Sequence, residues 1–174
     1  MIKLLNDFNG NTDDIDGHIN WEILDAQLNN LKTAYTVLVQ SVHSIDGLED
    51  LPILVHGYDY PFPYPAGTED PRDPDHARKD QWLGSAFSPR QIDDQSLRRG
   101  ILKKLIDRLY DLLNSIAIDI GNGNVHVVDC RGTMPSIDFW IDEIHGNDSG
   151  FANVAQKFRD KLSDVTRDSN STPS

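Results

Sequence analysis

The sequence predicts an α/β fold built on parallel strands. Three observations carry this. A short apolar run at residues 52–55 has the composition of a strand buried on both faces, and residues 124–128 read as a second strand. The longer segments around them place apolar residues at helical spacing. The order along the chain is helix, strand, long loop, helix, strand, loop, helix, which is how parallel crossover units are written. No internal repeat interrupts it.

The chain opens on an acidic stretch. Residues 4–31 hold six acidic side chains and no Lys or Arg. Residues 7–20 are rich in Asn, Asp and Gly and read as a loop. Asp7, Asn9 and Asn11 match positions 1, 3 and 5 of a calcium loop. Thr12 then stands where Gly is needed, and His18 where the closing Glu is needed. Calcium takes about 6–8 oxygens with a bidentate carboxylate at the end, so the stretch is read as Asx-turns instead.

Asn20 has the character of an N-cap for a helix over residues 21–42, with Ile23, Leu24, Leu28, Leu31, Tyr35, Leu38, Val39 and Val42 on its apolar face. The run Pro52-Ile-Leu-Val55 is a strand that ends in His56-Gly57-Tyr58-Asp59. In an open parallel sheet, ligands bind outside the carboxyl ends of strands. Residues 59–95 form a long, proline-rich, irregular loop, and loops of that length in a domain are functional or disordered. His76 beside Asp73 and Asp75 lies in this loop and is read as loop chemistry rather than a metal site.

Ser88-Pro89 suits the start of the next helix, whose clear part covers residues 97–117. Arg98, Arg99, Lys103, Lys104 and Arg108 are read as its solvated face, offsetting the acidic surplus. Gly121-Asn-Gly123 is a turn. The strand 124–128 follows and ends at Asp129-Cys130-Arg131-Gly132. Residues 150–162 form a last amphipathic helix through Phe151, Val154, Ala155, Phe158 and Leu162. Residues 1–162 are thus expected to be one domain, and 163–174 a disordered polar tail.

Composition excludes several functions. The 174 residues carry 28 acidic against 16 basic side chains, a net charge of −12 and a pI near 4.7. Phosphate backbones and anionic membrane surfaces both need clustered Lys or Arg, so neither nucleic acid nor membrane is an expected partner. The single cysteine, Cys130, rules out an internal disulfide framework and a Cys-rich zinc site. No segment is apolar enough to cross a bilayer and the first 20 residues do not form a signal peptide, so the expected location is cytoplasmic.

The stretch most suited to chemistry is Phe139-Trp-Ile-Asp142-Glu-Ile-His145-Gly, a loop between strand and helix. Three-residue spacing lets the Asp142 carboxylate reach the Nδ1–H of His145 and fix its tautomer. Nε2 is then free to take a proton from a hydroxyl. The alternative is a surface turn in which His145 packs on Trp140.

Asp142-Glu-Ile-His145, with Gly150-Phe151 and the amphipathic helix behind it, resembles the last sequence block of the SGNH/GDSL hydrolase family. Pro52-Ile-Leu-Val-His56-Gly-Tyr-Asp-Tyr-Pro61 looks like the fourth-strand region of a bacterial subgroup. Leu105-Ile-Asp-Arg-Leu-Tyr-Asp-Leu-Leu113 resembles the helix after it, and Val127-Val-Asp-Cys-Arg-Gly-Thr133 the fifth strand and its exit. The likeness covers roughly residues 20–160 in the family's order. It implies a three-layer αβα sandwich of the flavodoxin-like kind, cleavage of small ester or acylated substrates by a Ser–His–Asp triad, and no metal or other cofactor. His145 would be the general base and Asp142 its orienting acid. His56, Tyr58 and Asp59 would line the substrate site.

The sequence departs from the family at the nucleophile. The family carries it in a Gly-Asp-Ser block near the N-terminus, and no Gly-Asp-Ser occurs here. The resemblance is thus to a C-terminal half, with the sheet incomplete at its N-terminal side. Ser44, Ser85 and Ser136 lack the setting of an acyl-transfer serine. A sheet missing strands has open edges, so a homodimer or a complementing chain at the exposed edge is expected. The competing reading is a non-catalytic remnant or interaction subunit.

Overall fold

Asn20 starts the first helix, as its cap chemistry requires. In the computed structural model, which describes residues 4–64, 70–73, 75 and 82–169, the Asn20 Oδ1 accepts the Ile23 N–H at 3.2 Å. Helix α1 then spans Trp21–His43. Strand β1 is Ile53–His56, and a one-turn helix α2 is Gly84–Phe87. Helix α3 is Gln95–Asp119, strand β2 is Val125–Val128, and helix α4 is Asp148–Ser169. The structure is therefore mixed α/β.

β1 and β2 pair in parallel, with Ile53 opposite Val125 and His56 opposite Val128. They form a two-stranded sheet among the described residues. Side chains alternate across a strand, and each face meets a helix. Val55 and Val125 are buried with Val39 of α1 and Tyr110, Leu113 and Ile116 of α3. His56, on the other face, sets its ring edge-on to Phe158 of α4 at 5.1 Å. A second cluster joins Leu5, Ile19 and Leu24 to Phe87, Ile92, Leu97 and Ile101. A third, of Phe62, Met134 and Trp140 with Val154 of α4, lies under the loop after β2.

Three expectations about elements need correction. The helix expected from Ser88 starts later. Residues Ser88–Arg90 make a separate 3-10 turn, Gln91 takes a left-handed φ of 58°, and Asp94 supplies the real cap by accepting the Leu97 N–H at 2.8 Å. Arg98 is not on a solvated face. It is 1% exposed and donates to the carbonyls of Ile92 and Tyr64 and to the Ser88 hydroxyl; Arg99 and Lys103 do face solvent. The last helix runs past Leu162 to Ser169, because Val165 is buried inside a stretch that reads as polar.

The acidic N-terminal loop is held by Asx-turns, Asn9 accepting from the Asn11 amide at 2.9 Å and Asn11 from the Asp13 amide at 3.0 Å. No metal-ligating cluster occurs among the described residues; His76 lies outside them. No helix among the described residues is long and apolar enough to cross a membrane.

Candidate active site

Residues 140–146 form a short closed loop after β2. Trp140 and Gly146 make an antiparallel bridge, and the Ile141 N–H donates to the His145 carbonyl at 2.8 Å. Within it, the two oxygens of Asp142 do different work. Oδ1 accepts the amides of Ile144 and His145 at 2.8 and 2.7 Å, which sets the turn. Oδ2 lies 2.7 Å from His145 Nδ1, which holds the ring with its Nδ1–H toward the carboxylate. The imidazole is about half exposed, and no described residue bonds its Nε2.

Partial burial opposes ionisation of Asp142. Hydrogen bonds from the His145 ring and from the two amides, with the His145 charge, outweigh it and hold its pKa below the ordinary carboxylate value. The Asp142 backbone carbonyl is held as well, by Arg72 Nη1 at 2.9 Å. Arg72 is buried and paired with Asp70 at 2.6 Å.

Glu143, between the two candidate catalytic residues, is 1% exposed. Its Oε1 accepts the amides of Tyr64 and Gly84 at 2.6 and 2.8 Å. Its Oε2 accepts those of Trp82 and Leu83, both at 2.9 Å. One carboxylate thus ties the long loop and the start of α2 to the His145 turn. The tie brings Trp82 edge-on to His145, with ring centroids 5.8 Å apart. Trp140, the packing partner of His145 in the alternative reading, is buried and donates from Nε1 to the Met134 carbonyl.

His56, Tyr58 and Asp59 all border one pocket of about 180 Å³ with Ile144 and Gly146, the neighbours of His145. They differ in what they can offer. His56 is exposed at its rim, with Nδ1 3.0 Å from the Gly57 carbonyl oxygen. Partial burial, and after it the charge of Asp142, raise the pKa of the Tyr58 phenol. Asp59 is buried, and its carboxylate accepts the amides of Tyr60, Gly132 and Met134, while the Thr133 hydroxyl, 3.3 Å away, donates to the nearer Cys130 carbonyl at 2.7 Å. It joins the exits of β1 and β2, and the three amides take most of its acceptor capacity.

No hydroxyl stands at His145 Nε2 among the described residues. Ser44 donates to the Ser41 carbonyl, Ser85 to the Trp82 carbonyl and Ser136 to Asp138. Cys130 borders the pocket but is buried, and burial pushes its thiol pKa up, away from the reactive thiolate. The chain matches no protein-family model, no curated protein and no solved structure. The site therefore rests on its own geometry. Sequence reasoning missed Arg72, Trp82 and Glu143. Glu143 carried one weak signal, a carboxylate inside an Asp-X-X-His turn, and nothing local foretold where it would reach.

Proposed function

We propose that this polypeptide carries the base half of an SGNH-type acyl-ester hydrolase. His145 is the general base, and Asp142 orients it. The observation that carries the reading is the 2.7 Å contact between Asp142 Oδ2 and His145 Nδ1 with Nε2 unengaged among the described residues. In that tautomer Nε2 accepts the proton of an attacking hydroxyl and later gives it to the leaving alcohol, while Asp142, kept ionised by its lowered pKa, stabilises the imidazolium. The attacking hydroxyl and the oxyanion donors come from a segment outside these 174 residues, since the sequence holds no Gly-Asp-Ser. Helices on both faces of a parallel pair support a three-layer sandwich completed by that segment. A reducing cytoplasmic setting fits the lone buried Cys130.

The test is hydrolysis of p-nitrophenyl acetate, with fluorophosphonate labelling, by this chain alone and together with a Gly-Asp-Ser polypeptide encoded beside it. Activity that appears on complementation and is lost in His145→Ala is expected. Equal turnover by wild type and His145→Ala on complementation overturns the assignment. One observation favours the second reading, an interaction subunit without catalysis: Tyr58, Trp82, Ile141 and Phe151 are all exposed on or near the His145 turn. Complex formation with no turnover would select it.

A further inference from the structure

A second pocket, of about 350 Å³, shares no lining residue with the one at the strand exits. The N-terminal segment, the region of α2 and the side of α3 meet there. Its lining has buried Leu5, Phe87 and Leu102 and half-buried Leu4, Leu83, Ala86 and Leu105. The two remaining lining residues are polar. Ser85 is exposed, and its hydroxyl donates to the Trp82 carbonyl.

Arg90 is the other, and it is held in place. It is half-buried on the turn after α2. Its Nε donates to the Leu5 carbonyl at 2.9 Å and its Nη1 to the Ala86 carbonyl at 2.6 Å. Its own carbonyl accepts the Phe8 N–H at 2.9 Å. A guanidinium has five N–H donors, so three, including both on Nη2, have no partner among the described residues. Arg72, Arg98, Arg108 and Arg131 each pair with an aspartate. No carboxylate pairs with Arg90 among the described residues, in a chain with 28 acidic side chains. A fixed cation with donors to spare, at the border of an apolar cavity, is complementary to a carboxylate on an apolar body. A dianion would leave a charge unmatched beside the leucines, and a cation would be repelled by Arg90.

Volume sets the size of the body. A cavity of about 150 Å³ holds benzene, so this one holds about ten carbons. We propose that this pocket binds a free monocarboxylate whose apolar body has about ten carbons. The carboxylate sits on the unpartnered donors of Arg90, and the body lies over Phe87 and Leu102. The site stands whether or not His145 proves to be a base.

Isothermal titration of the full chain with decanoate, decanol and decylammonium at neutral pH tests this, with the methyl resonances of Leu83, Leu102 and Leu105 as the reporters of place. Decanoate is expected to move those resonances and to bind at least about tenfold more tightly than decanol, the value of a hydrogen bond to a charged group. Decylammonium is expected to bind more weakly still. Each methylene removed from decanoate weakens binding about fourfold. Arg90→Gln is expected to erase the preference for decanoate over decanol, and Ala86→Leu, which fills the cavity, to weaken both; circular dichroism checks that each variant is folded. The wild-type comparison alone can refute the site. Decanol binding as tightly as decanoate overturns it, as do unmoved resonances at the three leucines. Decanoate bound by either folded variant as tightly as by wild type overturns it too. A preference for an acidic, leucine-bearing peptide over decanoate would give the groove to a polypeptide and overturn it likewise.

Discussion

Glu143→Gln asks whether one buried carboxylate holds the long loop against the His145 turn. The substitution keeps shape and removes one acceptor. In the native protein Oε1 takes the amides of Tyr64 and Gly84, and Oε2 takes those of Trp82 and Leu83. A glutamine oxygen can serve one pair. Its NH₂ group then faces two amide donors. Each buried donor left without an acceptor costs about 1–3 kcal/mol, so the pair costs about 2–6 kcal/mol. Domains of this size have about 5–15 kcal/mol in total. Urea unfolding followed by circular dichroism measures the loss. With a slope of about 2 kcal/mol per molar urea, the midpoint falls by about 1–3 M. Amide hydrogen exchange then shows where the loss sits, and the amides of Tyr64, Trp82, Leu83 and Gly84 are expected to lose protection first. A midpoint within about 0.3 M of wild type, with protection at those four amides unchanged, would refute the claim that Glu143 fastens the loop.

Two further outcomes follow from the same structure. Asp142 has a folded pKa below its unfolded value, which is about 3.9. Its contribution to stability is then fully present above that unfolded value and is lost as pH falls through the folded one. The urea midpoints of wild type and Asp142→Asn should accordingly converge as pH drops below the ordinary carboxylate value of about 3.9, and a constant gap would contradict the assigned ion pair. Gly57→Ala places a Cβ 2.9 Å from Tyr110 Cε2 and 3.3 Å from Leu109 Cδ2. With Tyr110 fully buried, the strain should cost about 1–3 kcal/mol, and thermal unfolding that matches wild type would show that the β1 exit can yield.

What could be read in the sequence was what is local. The cap at Asn20 and the period of α1 lie within one helix, and both are found where the pattern put them, except that Leu38 is exposed. Asp142 reaches His145 across three residues, so spacing alone suggested the contact. Features that depend on distant partners were hidden. Arg98 sits beside Arg99 in the sequence with nothing to tell them apart, yet the first is buried against the carbonyl oxygens of Ile92 and Tyr64 and the second faces solvent. Asp59 looked like a ligand at a strand end, and the amides of Gly132 and Met134, more than 70 residues away, take up much of it. Gln91 broke the helix expected from Ser88 through a left-handed backbone that Ser-Pro chemistry does not announce.

The same distinction bears on whether the His145 turn is a site or an ordinary surface loop. An ordinary turn needs the Asx bonds that Asp142 makes to Ile144 and His145 and nothing more. This one is fastened from outside as well. Glu143 grips four amides of the central loop and of α2, and Arg72 grips the Asp142 carbonyl. Burying the Glu143 and Arg72 charges is costly unless every bond is satisfied, and the fold satisfies them around a histidine whose outer nitrogen has no partner among the described residues. A base must be held within about half an ångström of its working position. The fastening of this half-exposed imidazole meets that requirement for the proposed base.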